Sequence, residues 1–266
     1  MSYQSIFRPD LFAGQTIIVT GGGSGIGRCT AHELAALGAT VAIVGRDVAK
    51  LERVRDEILG DGGKVSIHAC DIRDETQVGE TIDAVLDAHD RLDGLVNNAG
   101  GQWMAPMKTI STNGFEAVVR NNLTGGFIFM REAYTRWMEQ HGGAIVNIIA
   151  DIWNGWPNFA HSAAARGGMF TLTESAACEW AEAGVAGQHG GAERDRFQRL
   201  RPLFARSAPG AAQVRREGAA QALRHRIRGV RRDRLPTVAG CGLHHRQLPP
   251  RRWRHAQRAP DLAARR

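Results

Sequence analysis

Residues 16–27, TIIVTGGGSGIG, constrain the fold more than any other stretch of the chain. A β-branched run stops at Gly21, and GRCTAHELAALGA from Gly27 carries apolar residues at helical spacing, so the segment reads as strand, loop and helix. The glycines strip Cβ atoms from the loop just where a helix N-terminus presents free N–H groups and the positive end of its dipole. A bare GxGxxG match says little, because glycine turns are common. Here it follows a first strand, opens a helix, and is trailed by ATVAIVGRD (39–47) as a second strand at the expected distance. Together these point to a dinucleotide pyrophosphate held by Thr20, Gly21, Ser24, Gly25, Ile26 and Gly27.

KVSIHACD (64–71), LDGLVNNAG (92–100) and GAIVNIIAD (143–151) continue the alternation, each separated by an amphipathic helical stretch. Five strands in this pattern predict an α/β fold, a parallel sheet with helices on both faces. No run of eighteen apolar residues and no basic-then-apolar start is visible, so a soluble cytoplasmic protein is expected, without membrane association. Cys29, Cys70, Cys178 and Cys241 lie far apart with no CxxC pair, which argues against a disulfide framework or a metal site and suggests reduced, buried thiols.

Thr20-Gly21-x-x-x-Gly25-x-Gly27, Asp71 after the third strand, Asn97-Asn98-Ala99-Gly100 after the fourth, and Asn122 in NNLTGGF resemble, in order and spacing, the short-chain dehydrogenase/reductase family. The resemblance implies a Rossmann-type doubly wound sheet, with Asp71 and Ile72 flanking the adenine and Asn98, Ala99 and Gly100 lining the ribose and nicotinamide. It also implies a homotetramer built through the fourth and fifth helices and the C-terminus. The second strand ends in Gly45-Arg46, where an NAD-specific site would place an acid on the ribose 2′-OH. A guanidinium there suits a 2′-phosphate, with Arg28 as a second positive charge, so NADP(H) is the expected cofactor. Two solvated surface arginines are the alternative.

Members of the family usually carry Tyr-x-x-x-Lys, with a Ser thirteen residues before the Tyr. Here Ser162 takes the Tyr position, Arg166 the Lys position and Ile149 the Ser position. Ketone reduction needs a proton for the alkoxide; Arg166 does not release one at a working pH, and Ser162 has no evident base beside it. Conjugate reduction of an α,β-unsaturated thioester is easier to reconcile, because charge spreads into an enolate and donors at the carbonyl oxygen suffice. NNAGGQWMAP, HGGAIVNIIAD and HSAAARGGMFTLTESAACEWA are similar to trans-2-enoyl-CoA and 2,4-dienoyl-CoA reductases and bacterial relatives, some of which act on terpenoid alcohols. That likeness implies an acyl-CoA substrate, with Ser162 donating to the thioester oxygen, Arg166 holding the nicotinamide ribose, and Asn122 fixing the active-site helix and a water. Asp151 stands where the dienoyl reductases have a Tyr, and Phe170 where the enoyl reductases have one. Ser162 as merely a small residue on a buried helix face is the alternative.

Composition breaks near residue 186. Residues 186–266 hold 20 Arg, no Lys and 5 acidic residues, a net +15, against −8 for residues 1–185. One reading is a Rossmann domain with a basic nucleic-acid arm; another is a disordered extension. A third explains more. Read in a frame one base later, AGQHGGA (186–192) can become R-V-N-M-V-A-P, 229–240 can become V-S-A-A-I-V-F-L-L-S-P-G, and 242–254 can become G-Y-I-T-G-S-C-L-R-V-D-G-G, three family-like segments in order. Residues 1–185 are therefore taken as the NADP-binding domain and 186–266 as an out-of-frame remnant with no nucleic-acid role. On that reading the last two strands and C-terminal layer are lost, the fifth strand is an unpaired edge and activity is impaired.

Overall fold

The computed structural model describes residues 5–153 and 155–192. The strands are β1 (Thr16–Thr20), β2 (Thr40–Gly45), β3 (Lys64–Ala69), β4 (Gly94–Asn97), β5 (Gly143–Ala150) and β6 (Val185–Ala192), all parallel in the order β3-β2-β1-β4-β5-β6. All five residues of β1 are buried, as a central strand covered on both faces requires. The pleat sends alternate side chains to two cores: Ile17 and Val19 join Leu34, Leu51, Val54 and Ile58, whereas Ile18 joins Val78, Ile82, Phe129 and Met169. Helices α1 (Gly25–Ala36) and α2 (Val48–Gly60) supply the first set, and α3 (Glu75–His89), α5 (Gly125–Ala133) and α7 (Ala160–Glu179) the second. Each fully buried Ile, Leu or Phe contributes about 1.5–3 kcal/mol of transfer free energy.

Strand order reverses beside β1, with β2 on one flank and β4 on the other, which opens a crevice at the carboxyl ends of these strands. Between β4 and β5 run α4 (Thr112–Val119), α5 and the short α6 (Glu139–His141), joined by π-helical turns at Arg120–Thr124 and Tyr134–Met138. A π turn widens the helix by one residue and re-aims its side chains, and such turns cluster at functional sites. Asn122 lies in the first of them.

All five predicted strands are present. The prediction that β5 is an unpaired edge is corrected: β6 pairs with it over its full length, from Gly143 opposite Val185 to Ala150 opposite Ala192. The ladder of a parallel strand uses backbone N–H and C=O alone, so a side-chain pattern as poor as VAGQHGGA does not prevent it. Close packing suits the small residues, for a Cβ on Gly187 would lie 3.1 Å from that of Ala177. The thiol reading is also corrected in part: Cys70 is buried, Cys29 half-buried and Cys178 exposed. Cys241 and residues 193–266 of the proposed remnant lie outside the described residues. No helix among the described residues is long and apolar enough to cross a membrane.

Candidate active site

The turn after β1 is tied to the end of β4 through one hydroxyl. Thr20 Oγ1 accepts the backbone N–H groups of Asn98 and Ala99, both at 3.0 Å, and the Asn98 side chain donates back to Thr20 O at 2.9 Å. Thr20 is 1% exposed, so its hydroxyl is shielded from water and fixes the spacing of the two loops. Gly27 is required by close approach: a Cβ there would sit 2.3 Å from Gly21 O and 2.4 Å from the Asn98 amide. Gly25 differs, since its Cβ would meet nothing within 4 Å. It starts α1 over open space, and Ser24 makes no side-chain cap there. An uncapped N-terminus beneath an open glycine loop, with half-exposed Ile26 in its first turn, fits a pyrophosphate.

The ends of β2 and β3 carry the predicted selectivity residues. Arg46 is exposed, and among the described residues no partner holds its guanidinium. It lies near enough to Asp71 to help depress that carboxyl, although the larger cause is Arg73, whose guanidinium hydrogen-bonds both Asp71 oxygens and holds the pKa at about 2. Arg28 is turned elsewhere. Its Nε donates to Glu57 Oε2 at 2.7 Å, an oxygen shared with His32 Nε2 at 3.0 Å, so the expected second charge is already paired by a carboxylate on α2. The Ile72 side chain is 7% exposed, inside the core and against Gly125 of α5.

Asn122 and Arg166 meet at the crevice. The π turn directs the Asn122 amide so that Nδ2 donates to Gly101 O (2.7 Å) and Val118 O (2.9 Å), while Oδ1 accepts from Gly101 N (3.1 Å) and Arg166 Nη2 (2.8 Å). The other arm of Arg166 donates to Ile148 O. Gly100 makes this arrangement possible: a Cβ would lie 2.5 Å from Asn122 Oδ1 and 2.6 Å from Arg166 Nη2. Burial pushes the Arg166 guanidinium down to about 10, still protonated at neutral pH. Its hydrogen-bonding partners are neutral dipoles, so a desolvated positive charge stands without a carboxylate among the described residues.

Ser162 lies one helical turn before Arg166 on the same face of α7. It is 0% exposed and its Oγ has no hydrogen-bond partner. A second orphan adjoins it, because His161 is also 0% exposed with Nε2 unpartnered. His161 Nδ1 accepts the Ser162 backbone N–H at 2.9 Å, and the ring meets Trp103 edge-on at 4.6 Å and 83°. The imidazole thus contacts the Ser162 backbone and not its hydroxyl. His161 escaped the motif comparison, although its adjacency to the residue at the Tyr position was available as a signal. Asp151, in contrast, is exposed just past β5, with its Oδ1 accepting from Trp153 N at 3.4 Å. Phe170 packs between Trp153 and His189, and Ile149 is core.

The family model for short chain dehydrogenases matches residues 15–188. The chain belongs to that family. Its members are oxidoreductases that use a nicotinamide dinucleotide, which agrees with the uncapped glycine loop. The chain is 35% identical over 168 residues to a probable 2,4-dienoyl-CoA reductase of Bacillus subtilis (strain 168), covering 62% of this chain and 66% of that protein. It is 32% identical over 185 residues to a peroxisomal 2,4-dienoyl-CoA reductase of Danio rerio, covering 69% and 62%. The matches thus span just under two thirds of the length of these relatives. Among solved structures, a citronellol catabolism dehydrogenase of Pseudomonas aeruginosa PAO1 superposes with a TM-score of 0.70 at 54% identity, covering 72% of this chain and 79% of that one.

Proposed function

We propose that this member of the short-chain dehydrogenase family carries out NADPH-dependent reduction of an α,β-unsaturated acyl thioester such as an enoyl- or dienoyl-CoA. The observation that carries the reading is Ser162: a wholly buried hydroxyl with no partner, one turn from a cation that no carboxylate pairs. Thr20, Gly21, Ser24, Gly25, Ile26 and Gly27 would hold the pyrophosphate, Arg46 a 2′-phosphate, Asp71 the adenine, Asn98, Ala99 and Gly100 the nicotinamide half, and Arg166 the ribose. When bound, the dinucleotide would supply a hydride to the far end of the conjugated system, the β-carbon of an enoyl thioester or the δ-carbon of a dienoyl one. The rest falls to the chain's own groups. Ser162 donates to the carbonyl oxygen, where negative charge collects, and Asn122 holds Arg166 so that its positive charge faces the same region. No residue has to deliver a proton, since solvent can protonate the α-carbon. The relatives named as dienoyl-CoA reductases support this substrate class. Loss of NADPH absorbance on adding a trans-2-enoyl-CoA or a 2,4-dienoyl-CoA tests it; NADPH binding with neither thioester consumed refutes it.

A second reading rests on the 54% identity to the citronellol catabolism dehydrogenase. It has the same residues act on a terpenoid alcohol or aldehyde, and oxidation of such an alcohol by the purified protein, with thioesters inert, would favour it. Exposed Phe115 and Phe127 on α4 and α5 support a homo-oligomer formed through those helices.

Residues 186–266 are proposed to be an out-of-frame translation of a family C-terminal third. The charge break at residue 186 and the end of the family match at residue 188 support this. The segment that forms β6 is the one whose shifted reading, R-V-N-M-V-A-P, is itself strand-like. The coding DNA decides: if no single-base deletion near codon 186 opens a frame encoding the three segments, the proposal fails.

A further inference from the structure

Two buried side-chain atoms among the described residues have no hydrogen-bond partner, and they belong to consecutive residues, His161 Nε2 and Ser162 Oγ. An orphaned buried polar group costs about 1–3 kcal/mol, so two in the first turn of one helix are costly unless a ligand satisfies them. The rest of the turn shows which nitrogen carries the proton. Nδ1 accepts the Ser162 N–H, which leaves its lone pair occupied and places the ring hydrogen on Nε2. The imidazole is held as a neutral donor, and Trp103, from the segment after β4, fixes its plane. That segment is joined to the entry of α7 by Ala105 N donating to Asn158 O at 2.9 Å, so the ring sits between two loops at the carboxyl ends of β4 and β5.

We infer that His161 is a further catalytic residue: its Nε2–H is a second hydrogen-bond donor, beside Ser162 Oγ–H, to the carbonyl oxygen of the substrate. The inference rests on the reading of Ser162 as a carbonyl donor. A donor that need not give up its proton suits a reaction in which charge collects on oxygen and is not quenched there. With Nδ1 engaged as an acceptor, the imidazole is arranged to polarise an oxygen rather than to protonate it. The ligand class is an α,β-unsaturated carbonyl compound.

The test uses the full chain with NADP⁺ present and two probes, a trans-2-enoyl-CoA and an α,β-unsaturated terpenoid aldehyde. The carbonyl stretch of each bound probe is read by isotope-edited difference infrared spectroscopy, and kcat is measured with NADPH. Expected is a lowered stretch in the unaltered protein. His161→Gln, which keeps an N–H donor, should retain most of that lowering and stay within about tenfold in kcat. His161→Phe, which keeps the ring packing on Trp103, should lose part of the lowering and about 10²–10³-fold in kcat, as for removal of one oxyanion donor. A His161→Phe protein with the full lowering and normal kcat would overturn the inference and leave His161 a packing residue. Lowering with the aldehyde alone would sink the thioester reading while His161 stands; lowering with neither probe, with NADP⁺ still bound, would sink His161. Should His161→Phe not fold, the ¹⁵N shifts of His161 in the unaltered protein carry the test: a proton on Nε2 that responds to the probe supports the donor role, and one that does not respond overturns it.

Discussion

The turn that opens α1 and the turn that opens α7 both border the crevice, yet they are finished differently. Around the first, Thr20, Asn98 and Ala99 close a set of mutual hydrogen bonds, and the uncapped N–H groups under Gly25 are left open. In the second, the buried atoms His161 Nε2 and Ser162 Oγ lack a partner. The other helix starts sharpen the contrast, because Asp47, Asp74 and Ser111 cap α2, α3 and α4 with side-chain oxygens. α5 and α6 run on from π-helical turns without a cap, and of the α-helices that start from a loop, α1 and α7 at the crevice are the uncapped ones among the described residues. The α1 turn is a finished frame with one anion seat, whereas the α7 turn is complete only with an oxygen from elsewhere.

The largest expected effect tests the unfinished side. Ser162→Ala should lower kcat by about 10²–10³-fold, the scale of one lost oxyanion donor, while the Kd for NADPH measured by fluorescence titration stays unchanged. The finished side should respond in stability instead. Thr20→Val keeps the shape but strips the acceptor from two N–H groups, and urea unfolding should show a loss of about 2–3 kcal/mol, given about 1–3 for each buried group left unpaired. Swapping these outcomes, so that Ser162→Ala unfolds the protein and Thr20→Val only slows it, would break the comparison.

A smaller effect concerns selectivity at the same frame. Arg46→Ala should weaken NADPH binding about tenfold, near the lower end for a hydrogen bond to a charged group, and leave NADH unchanged. Calorimetry with both dinucleotides checks it, and equal losses would remove Arg46 from the 2′-phosphate role. The smallest effect lies away from the crevice. Burial, helped by nearby His89, lowers the His68 pKa below its ordinary 6.5. The unfolded chain therefore binds the proton first on acidification, so the contribution is complete above pH 6.5 and declines as pH falls through the lowered folded value. His68→Gln should flatten that slope in melting temperature without altering turnover.

Much of the frame is legible in the residues themselves. The β-branched runs and the glycines at 21, 25 and 27 act locally, and they located β1 to β5 and the start of α1. Long-range packing was less legible. Arg28 and Ile72 stand at motif positions, but what they touch is set by Glu57 on α2 and Gly125 on α5, 29 and 53 residues away in sequence. The sixth strand was missed because its composition carries no β signal, while its hydrogen bonds come from β5.

What the sequence alone determined is the parallel alternation, the dinucleotide loop and the exchange of Tyr and Lys for Ser162 and Arg166, because each is written in residues close together along the chain. Only the tertiary structure decided that the Asn122 amide grips Arg166, that Gly100 must lack a side chain to allow it, and that His161 Nε2 and Ser162 Oγ end without partners. The physical reason is that partnership of a buried polar group depends on every element packed around it. No local spacing records that environment.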